Sequence, residues 1–302
     1  MTNLKNGLLA SAVALLVMLH PTNGRCAPGT AAAAAAVQME HISIVAIGQG
    51  RPVILIPGLS SPRAIWDAVA PELAKRHRVY LLQINGFGGD DPKANLQTGV
   101  LDGTVTDLSA FIAREKLAAP AIVGHSLGGL VGLMLAKAHP GQVGRLMVID
   151  SLPFIGILFA PTATVTMVEP QAKAMRAQIA ASYGKSDDSF AKATAQRLAL
   201  KPESQAKLIP WLVQADARVS AQAMYEDMTT DLRPEMAKIA TPITLVYPWS
   251  ARLPKERADA FYHRAYADAP HITFVGTGDS AHFVMLDQPA AFQAALIAFL
   301  EN

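Results

Sequence analysis

Short apolar runs separated by stretches of helical spacing set the plan of the chain. Residues 53–56, 79–82, 121–123, 146–149, 243–247 and 272–275 are mainly apolar and too brief for helices, which predicts strands buried on both faces. Residues 41–47 differ, because Ile42 and Ile44 flank Ser43 in the alternation of a strand half exposed to water. Helices are expected between these runs: 65–75 with Trp66, Val69 and Leu73 on one face, 101–117 with Val105, Leu108 and Ile112, 130–136, 256–266, and 290–300 after Pro289. Alternating strands and helices predict an α/β fold, with a mostly parallel sheet covered on both faces and ligands bound beyond the carboxyl ends of the strands. Residues 152–236 break the alternation. They offer no strand, only helical spacing such as Met175 with Ile179 and Met224 with Met228, and are expected to form a helical cap over the strand ends. Its apolar lead-in carries Phe154 and Phe159, expected to face a substrate pocket. Met167, Met224 and Met228 either line an adaptable site or fill a core.

The stretch Gly124-His125-Ser126-Leu127-Gly128 lies between one of the buried runs and an apolar helix. A serine at the tip of so sharp a strand-to-helix turn needs neighbours without a Cβ, so that the two backbones can approach. Ser126 is then exposed at the sheet edge, where it could act as a nucleophile.

This stretch resembles the nucleophile elbow of the α/β-hydrolase superfamily, with further matches between Pro57 and Pro289. The resemblance implies the α/β-hydrolase fold with a helical cap inserted after the sixth strand, and chemistry that uses no metal and no cofactor. It implies an oxyanion hole made by the backbone N–H groups of Leu59, in the loop after residues 53–56, and of Leu127. The loop 85–90 is similar to a glycine-rich loop that borders the superfamily's active site, which makes Phe87 a candidate substrate contact. His282, in the pattern running from Gly278 to Pro289, matches the superfamily's general base. The usual position of the acid, just after residues 243–247, reads Pro248-Trp249-Ser250-Ala251-Arg252 here and holds no carboxylate. Asp150, at the end of the strand after the elbow helix, is the preferred candidate for a Ser126–His282–Asp150 triad, and Glu256 and Asp259 are the alternatives.

Composition narrows the classes. Of 302 residues, 51% are hydrophobic and 17% charged, and the net charge is +2, which gives no electrostatic reason to expect nucleic acid. The one cysteine, Cys26, excludes an internal disulfide. Lys5 precedes an apolar run over 7–19, too short for a membrane span and laid out as a secretory signal peptide. The expected organisation is therefore a signal peptide over 1–27, an Ala-rich leader over 28–37 and a hydrolase domain over 38–302, secreted or periplasmic and without stable membrane insertion. The expected activity is hydrolysis of a small-molecule carboxylic ester through an acyl-enzyme on Ser126. The alternatives are C–C hydrolysis, acyl transfer or cofactor-free peroxidation on the same fold, or a ligand-binding protein with little turnover.

Overall fold

The structure is a computed structural model and describes residues 36–185 and 188–301. Among these, eight strands form one sheet: β1 (Val37–Gln38), β2 (Ile42–Ile47), β3 (Arg51–Ile56), β4 (His77–Ile84), β5 (Ala121–His125), β6 (Arg145–Ile149), β7 (Ile243–Pro248) and β8 (Ile272–Thr277). Their spatial order is β1-β2-β4-β3-β5-β6-β7-β8. The β1–β2 and β2–β4 pairs are antiparallel and every other pair is parallel. The sheet is thus mostly parallel, as expected.

Consecutive residues of the central strands feed two different cores. Ile54 and Ile56 of β3, Ile122 of β5 and Leu146 and Val148 of β6 pack on one face with α2 (Val100–Arg114), α3 (Leu127–Ala138) and α8 (Lys255–Ala265). Val53, Leu55, Val123, Met147 and Ile149 point the other way, onto α1 (Ala70–Leu73) and the C-terminal α10 (Pro289–Glu301). Each such side chain, fully withdrawn from water, contributes about 1.5–3 kcal/mol, which is why runs without alternation form strands here.

Chain order reverses around β3, because β4 lies on one side of it and β5 on the other. Such a switch point opens a crevice at the carboxyl ends of its strands. The loops leaving β3 and β5, which carry Leu59 and Ser126, flank it.

Between β6 and β7 the described residues form only helices and 3-10 turns. The helices are α4 (Val165–Ala180), α5 (Ser189–Leu198), α6 (Pro202–Gln214) and α7 (Ala217–Thr229). The α5–α6 pair joins one core through Ala195, Ala199 and Leu208, and α7 joins the other through Val219 and Ala223. The short α9 (Val284–Asp287) precedes α10.

Several elements differ from their sequence expectation. The helix expected over 65–75 is a 3-10 turn, Arg63–Trp66, followed by the single turn of α1. Pro71 explains the break, since in a continuous helix its ring would strike the carbonyl four residues earlier. Strand β2 is not half exposed at its start: Ser43 is fully buried between Ile42 and Ile44. Its hydroxyl accepts from the Arg63 guanidinium and donates to Asp90 at 3.4 Å, so the polar residue is satisfied internally. The elbow helix begins at Leu127, directly after the serine, not at residue 130. The signal peptide and most of the leader lie outside the described residues.

The elbow depends on two backbone approaches. A Cβ on Gly124 would lie 2.2 Å from the Gly128 carbonyl oxygen, and one on Gly128 would lie 2.4 Å from that of Ile56 and 2.6 Å from that of Pro57. Neither neighbour is a side chain that can turn aside. Gly124→Ala and Gly128→Ala are expected to lower unfolding free energy in urea by about 1–3 kcal/mol or more. Gly132→Ala, one turn on, meets chiefly the Leu146 side chain and gains helix propensity, so it is expected to be near neutral. Equal losses at the three positions would show that backbone contact is not the constraint.

Candidate active site

Ser126 sits where β5 ends and α3 begins, with φ 53° and ψ −122°. A non-glycine residue with positive φ is strained, and the strain is held by hydrogen bonds on both sides. The Ser126 N–H donates to the Ile149 carbonyl at 2.9 Å, tying the elbow to the end of β6, while the N–H groups of Gly129 and Leu130 donate to the Ser126 carbonyl at 2.8 and 3.2 Å. The side chain therefore stands clear of the strand at the first turn of a helix.

Asp150 follows β6 and also has positive φ, 44°. Its N–H donates to the Val246 carbonyl at 2.8 Å, continuing the β6–β7 ladder one residue past the strand. His282 lies in the loop between β8 and α9, and its Nδ1 is 2.7 Å from Asp150 Oδ2. The Tyr262 hydroxyl donates to Asp150 Oδ1, and Tyr266 donates to the neighbouring Ser151 carbonyl at 3.0 Å. Burial pushes the Asp150 carboxyl up, but the charge of His282 and the hydrogen bonds from His282 and Tyr262 outweigh it and hold the group below the usual carboxylate range. Tyr262 is driven well above the usual tyrosine value, first by burial and then by Asp150. Asp150 is consequently an anion with a donor on each oxygen. Because a carboxylate only accepts, the proton of a neutral His282 is on Nδ1 and its Nε2 is left as the base.

His125 supplies a support that sequence reasoning did not assign. Its ring is fully buried, with Nε2 3.0 Å from the His282 carbonyl oxygen and ring centroids 4.6 Å from both His282 and Phe283. A carbonyl can only accept, so Nε2 carries the proton. Desolvation, followed by the charge of His282, lowers the His125 pKa to about 3, and the ring stays neutral. The chain neighbour of Ser126 thereby holds the backbone of His282, bringing the two candidate catalytic residues to one place on the rim. Asp287, also fully buried, accepts from the N–H groups of Ala281 at 3.0 Å, Leu200 at 2.9 Å and Lys201 at 3.2 Å, and so anchors the same loop to the α5–α6 connection. No local pattern distinguishes Asp287 from a solvent-facing residue of a terminal helix; only the fold shows its three donors.

The loop after β3 reaches the elbow from the other side. A Cβ on Gly58 would lie 2.9 Å from His125 Nδ1 and 3.0 Å from Ser126 Cβ, so the Gly58–Leu59 backbone runs alongside the serine. Leu127 is the first residue of α3, where N–H groups have no partner within the helix. The Leu127 N–H and the Gly58–Leu59 backbone thus both lie close to Ser126.

The remaining sequence-predicted residues are dispersed. Phe87 is fully buried in the larger core, because Gly86 and Gly88 take φ of 95° and 61° and turn the ring inward. Phe154 is fully buried in a small separate cluster with Ala163 and Val168, and Arg233 lies over its ring at 4.5 Å. Phe159 is 58% exposed. Of the alternative acids, Glu256 is exposed, and Asp259 accepts from Tyr247 at 2.8 Å and pairs with Lys255. Among the described residues no group of three or more His, Cys, Asp or Glu is arranged to hold a metal ion, and no helix is long and apolar enough to cross a membrane.

Known proteins share this arrangement of elements. A pimeloyl-[acyl-carrier protein] methyl ester esterase of Nitrosomonas europaea is 25% identical over 260 residues, covering 78% of this chain and 96% of that protein. A protein of the same description from Aeromonas hydrophila is 32% identical over 112 residues, which is 37% of this chain and 42% of its own length. The N-formylmaleamate deformylase of Pseudomonas putida is 31% identical over 103 residues, 34% of this chain and 38% of that one. These last two matches span less than half the length of either relative. Among solved structures, a hydrolase from Pseudomonas aeruginosa PA01 superposes with TM-score 0.73 at 18% identity, covering 90% of this chain and 100% of that one. A thermophilic esterase from Thermogutta terrifontis gives TM-score 0.73 at 21% identity, covering 89% and 98%. Likeness at such identities shows a shared fold. The family profile itself matches residues 53–295, most of the chain, and on that match the protein belongs to the alpha/beta hydrolase family.

Proposed function

We propose that the protein is a serine hydrolase that cleaves a small carboxylic ester through an acyl-enzyme on Ser126. The observation that carries this reading is the 2.7 Å pairing of His282 Nδ1 with the Asp150 carboxylate beside a strained serine. A serine hydroxyl is a weak nucleophile until a positioned base takes its proton, and an imidazole whose Nδ1 is committed to an anion has only Nε2 to offer. In the reaction Ser126 Oγ bonds to the ester carbonyl carbon and its proton passes to His282. The carbonyl oxygen becomes an anion facing the Leu59 and Leu127 N–H groups. The ester C–O bond then breaks, and His282 returns the proton to the departing alcohol. Water, deprotonated by His282, adds to the acyl carbon, and the acid and the free serine are released.

Two further observations support the reading. Several relatives in sequence are described as methyl ester esterases, and a solved relative in fold is an enol-lactonase. The binding-protein alternative drew on the lack of a carboxylate directly after Tyr247, and Asp150 supplies a candidate acid from the neighbouring strand. Export of the protein is part of the same proposal, on the signal-like layout of Lys5 and residues 7–19.

A fluorophosphonate probe is expected to label the wild-type protein and not Ser126→Ala, alongside turnover of p-nitrophenyl esters by the wild type alone; labelling that survives the substitution would move the nucleophile elsewhere. Asp150→Asn is expected to lower kcat by about 10⁴, the scale seen when a triad acid loses its charge. A loss below tenfold in steady-state assays would remove Asp150 from the triad. Gly58→Ala, which pushes on both His125 and the serine, is expected to lower kcat by about 10²-fold while KM changes little, because the oxyanion contacts form only in the transition state. A rise in KM at unchanged kcat would assign that loop to substrate binding instead.

A further inference from the structure

A buried pair of hydroxyls joins the insertion to the loop that runs beside Ser126. Ser60, in the loop after β3, donates to Ser220 of α7 at 2.8 Å, and both residues are buried. Ser60 directly follows Leu59 and has φ of 54°, a conformation that a serine keeps only where its surroundings hold it. Few other hydrogen bonds fix that loop. The N–H groups of Gly58, Leu59 and Ser60 have no acceptor among the described residues. Ser61 closes a turn by donating from its N–H to the Gly58 carbonyl and from its hydroxyl to the Leu59 carbonyl, both at 3.2 Å, but these bonds stay inside the loop. The next outward contact is at Arg63, whose N–H donates to Gln83 Oε1 at 3.1 Å. Among the described residues, the bond to Ser220 is thus the one that leaves the stretch 58–61.

Helix α7 is the fixed partner in this contact. The N–H of its N-cap Asp216 donates to the Gly86 carbonyl at 2.7 Å, and Glu226 accepts from the N–H groups of Gly99 and Leu101 at 2.6 and 2.8 Å. Val219 and Ala223, on either side of Ser220 in sequence, lie in the larger core. The Ser220 hydroxyl is therefore presented by a helix that its other contacts keep in place. The loop in turn lies against the candidate nucleophile, since a Cβ on Gly58 would be 3.0 Å from Ser126 Cβ. A shift at Ser60, two residues on, is passed to the backbone that faces the serine.

We propose, resting on the ester-hydrolase reading above, that Ser220 is a positioning residue for the oxyanion hole: through the Ser60 hydroxyl it holds the Gly58–Leu59 backbone in place beside Ser126. The insertion then acts on the reaction without touching the substrate, because α7 aligns the loop that carries the Leu59 N–H. The effect belongs to kcat, since the oxyanion forms only in the transition state and ground-state binding does not draw on its donors.

The test measures steady-state turnover of a p-nitrophenyl ester and unfolding in urea, on the full chain and its variants. Ser220→Ala is expected to lower kcat by about tenfold or more with KM little changed, as a small displacement of an aligned donor does. Ser60→Gly removes the other hydroxyl at a φ that suits glycine, so kcat is expected to fall equally while the urea midpoint stays near that of the wild type. The double variant is expected to match the worse single variant within about threefold, because the two hydroxyls form one contact. Glu226→Ala, which frees α7 from the start of α2, is the control: it is expected to lower the urea midpoint and leave kcat within about threefold of the wild type. A kcat unmoved by Ser220→Ala, a loss expressed in KM, losses that multiply in the double variant, or an equal loss of kcat in Glu226→Ala would each overturn the assignment. Failure of the hydrolase reading looks different, since the wild type itself would then neither take the fluorophosphonate label at Ser126 nor turn over the ester.

Discussion

The contact between Asp150 and His282 is the interaction on which the proposed site depends. Withdrawing a carboxylate from water costs several kcal/mol, and hydrogen bonds to it seldom return much more than that cost. Asp150 adds backbone strain, with φ of 44°, worth about 1–3 kcal/mol. What Asp150 contributes in return is its effect on its partner. Here it fixes the tautomer and direction of an imidazole, and Tyr262 keeps the second oxygen occupied so that the carboxylate cannot rotate away.

The scaffold supports this pair through backbone geometry more than through side-chain packing. The elbow closes because Gly124 and Gly128 allow three backbones, those of β5, α3 and the end of β3, to meet at distances no Cβ permits. His125 ties the position of the elbow to that of His282, since the residue before the serine donates to the carbonyl of His282. Asp287 restrains the same loop from the far side with three accepted hydrogen bonds. His282 is therefore held by contacts from β5, from the α5–α6 connection and from the end of β6.

Much of this was legible in the sequence, for identifiable reasons. Short apolar runs suit strands buried on two faces better than helices, and the glycine spacing around Ser126 suits a sharp strand-to-helix turn, so the sheet and the elbow followed from local pattern. The choice between Asp150, Glu256 and Asp259 did not. An aspartate at a strand end looks the same in sequence whether it faces an imidazole or a turn, and the deciding facts are the 2.7 Å contact with His282 and the commitment of Asp259 to Tyr247 and Lys255. Helix 65–75 was misjudged where apolar spacing was weighed and Pro71 was not. Phe87 was expected at the rim because its loop is similar to one that borders the superfamily's active site, whereas here Gly86 and Gly88 take positive φ and the ring lies in the core. Sequence spacing reports which residues share a face, but which way a tight turn faces is set by dihedrals it does not encode.

The insertion between β6 and β7 is tied into the rest of the fold at several points. Its α5–α6 pair packs on one core and α7 on the other, so the segment is held from both sides of the sheet instead of resting on one. Helix α7 in particular is bonded to the loops after β3 and β4 and to the start of α2 by main-chain and side-chain hydrogen bonds along its whole length. A helix fastened at both ends and in the middle presents a fixed face to the loops it is bonded to. The sheet holds Ser126 and Asp150 at its strand ends, and α7 is clamped to the loops that leave the same ends of β3 and β4.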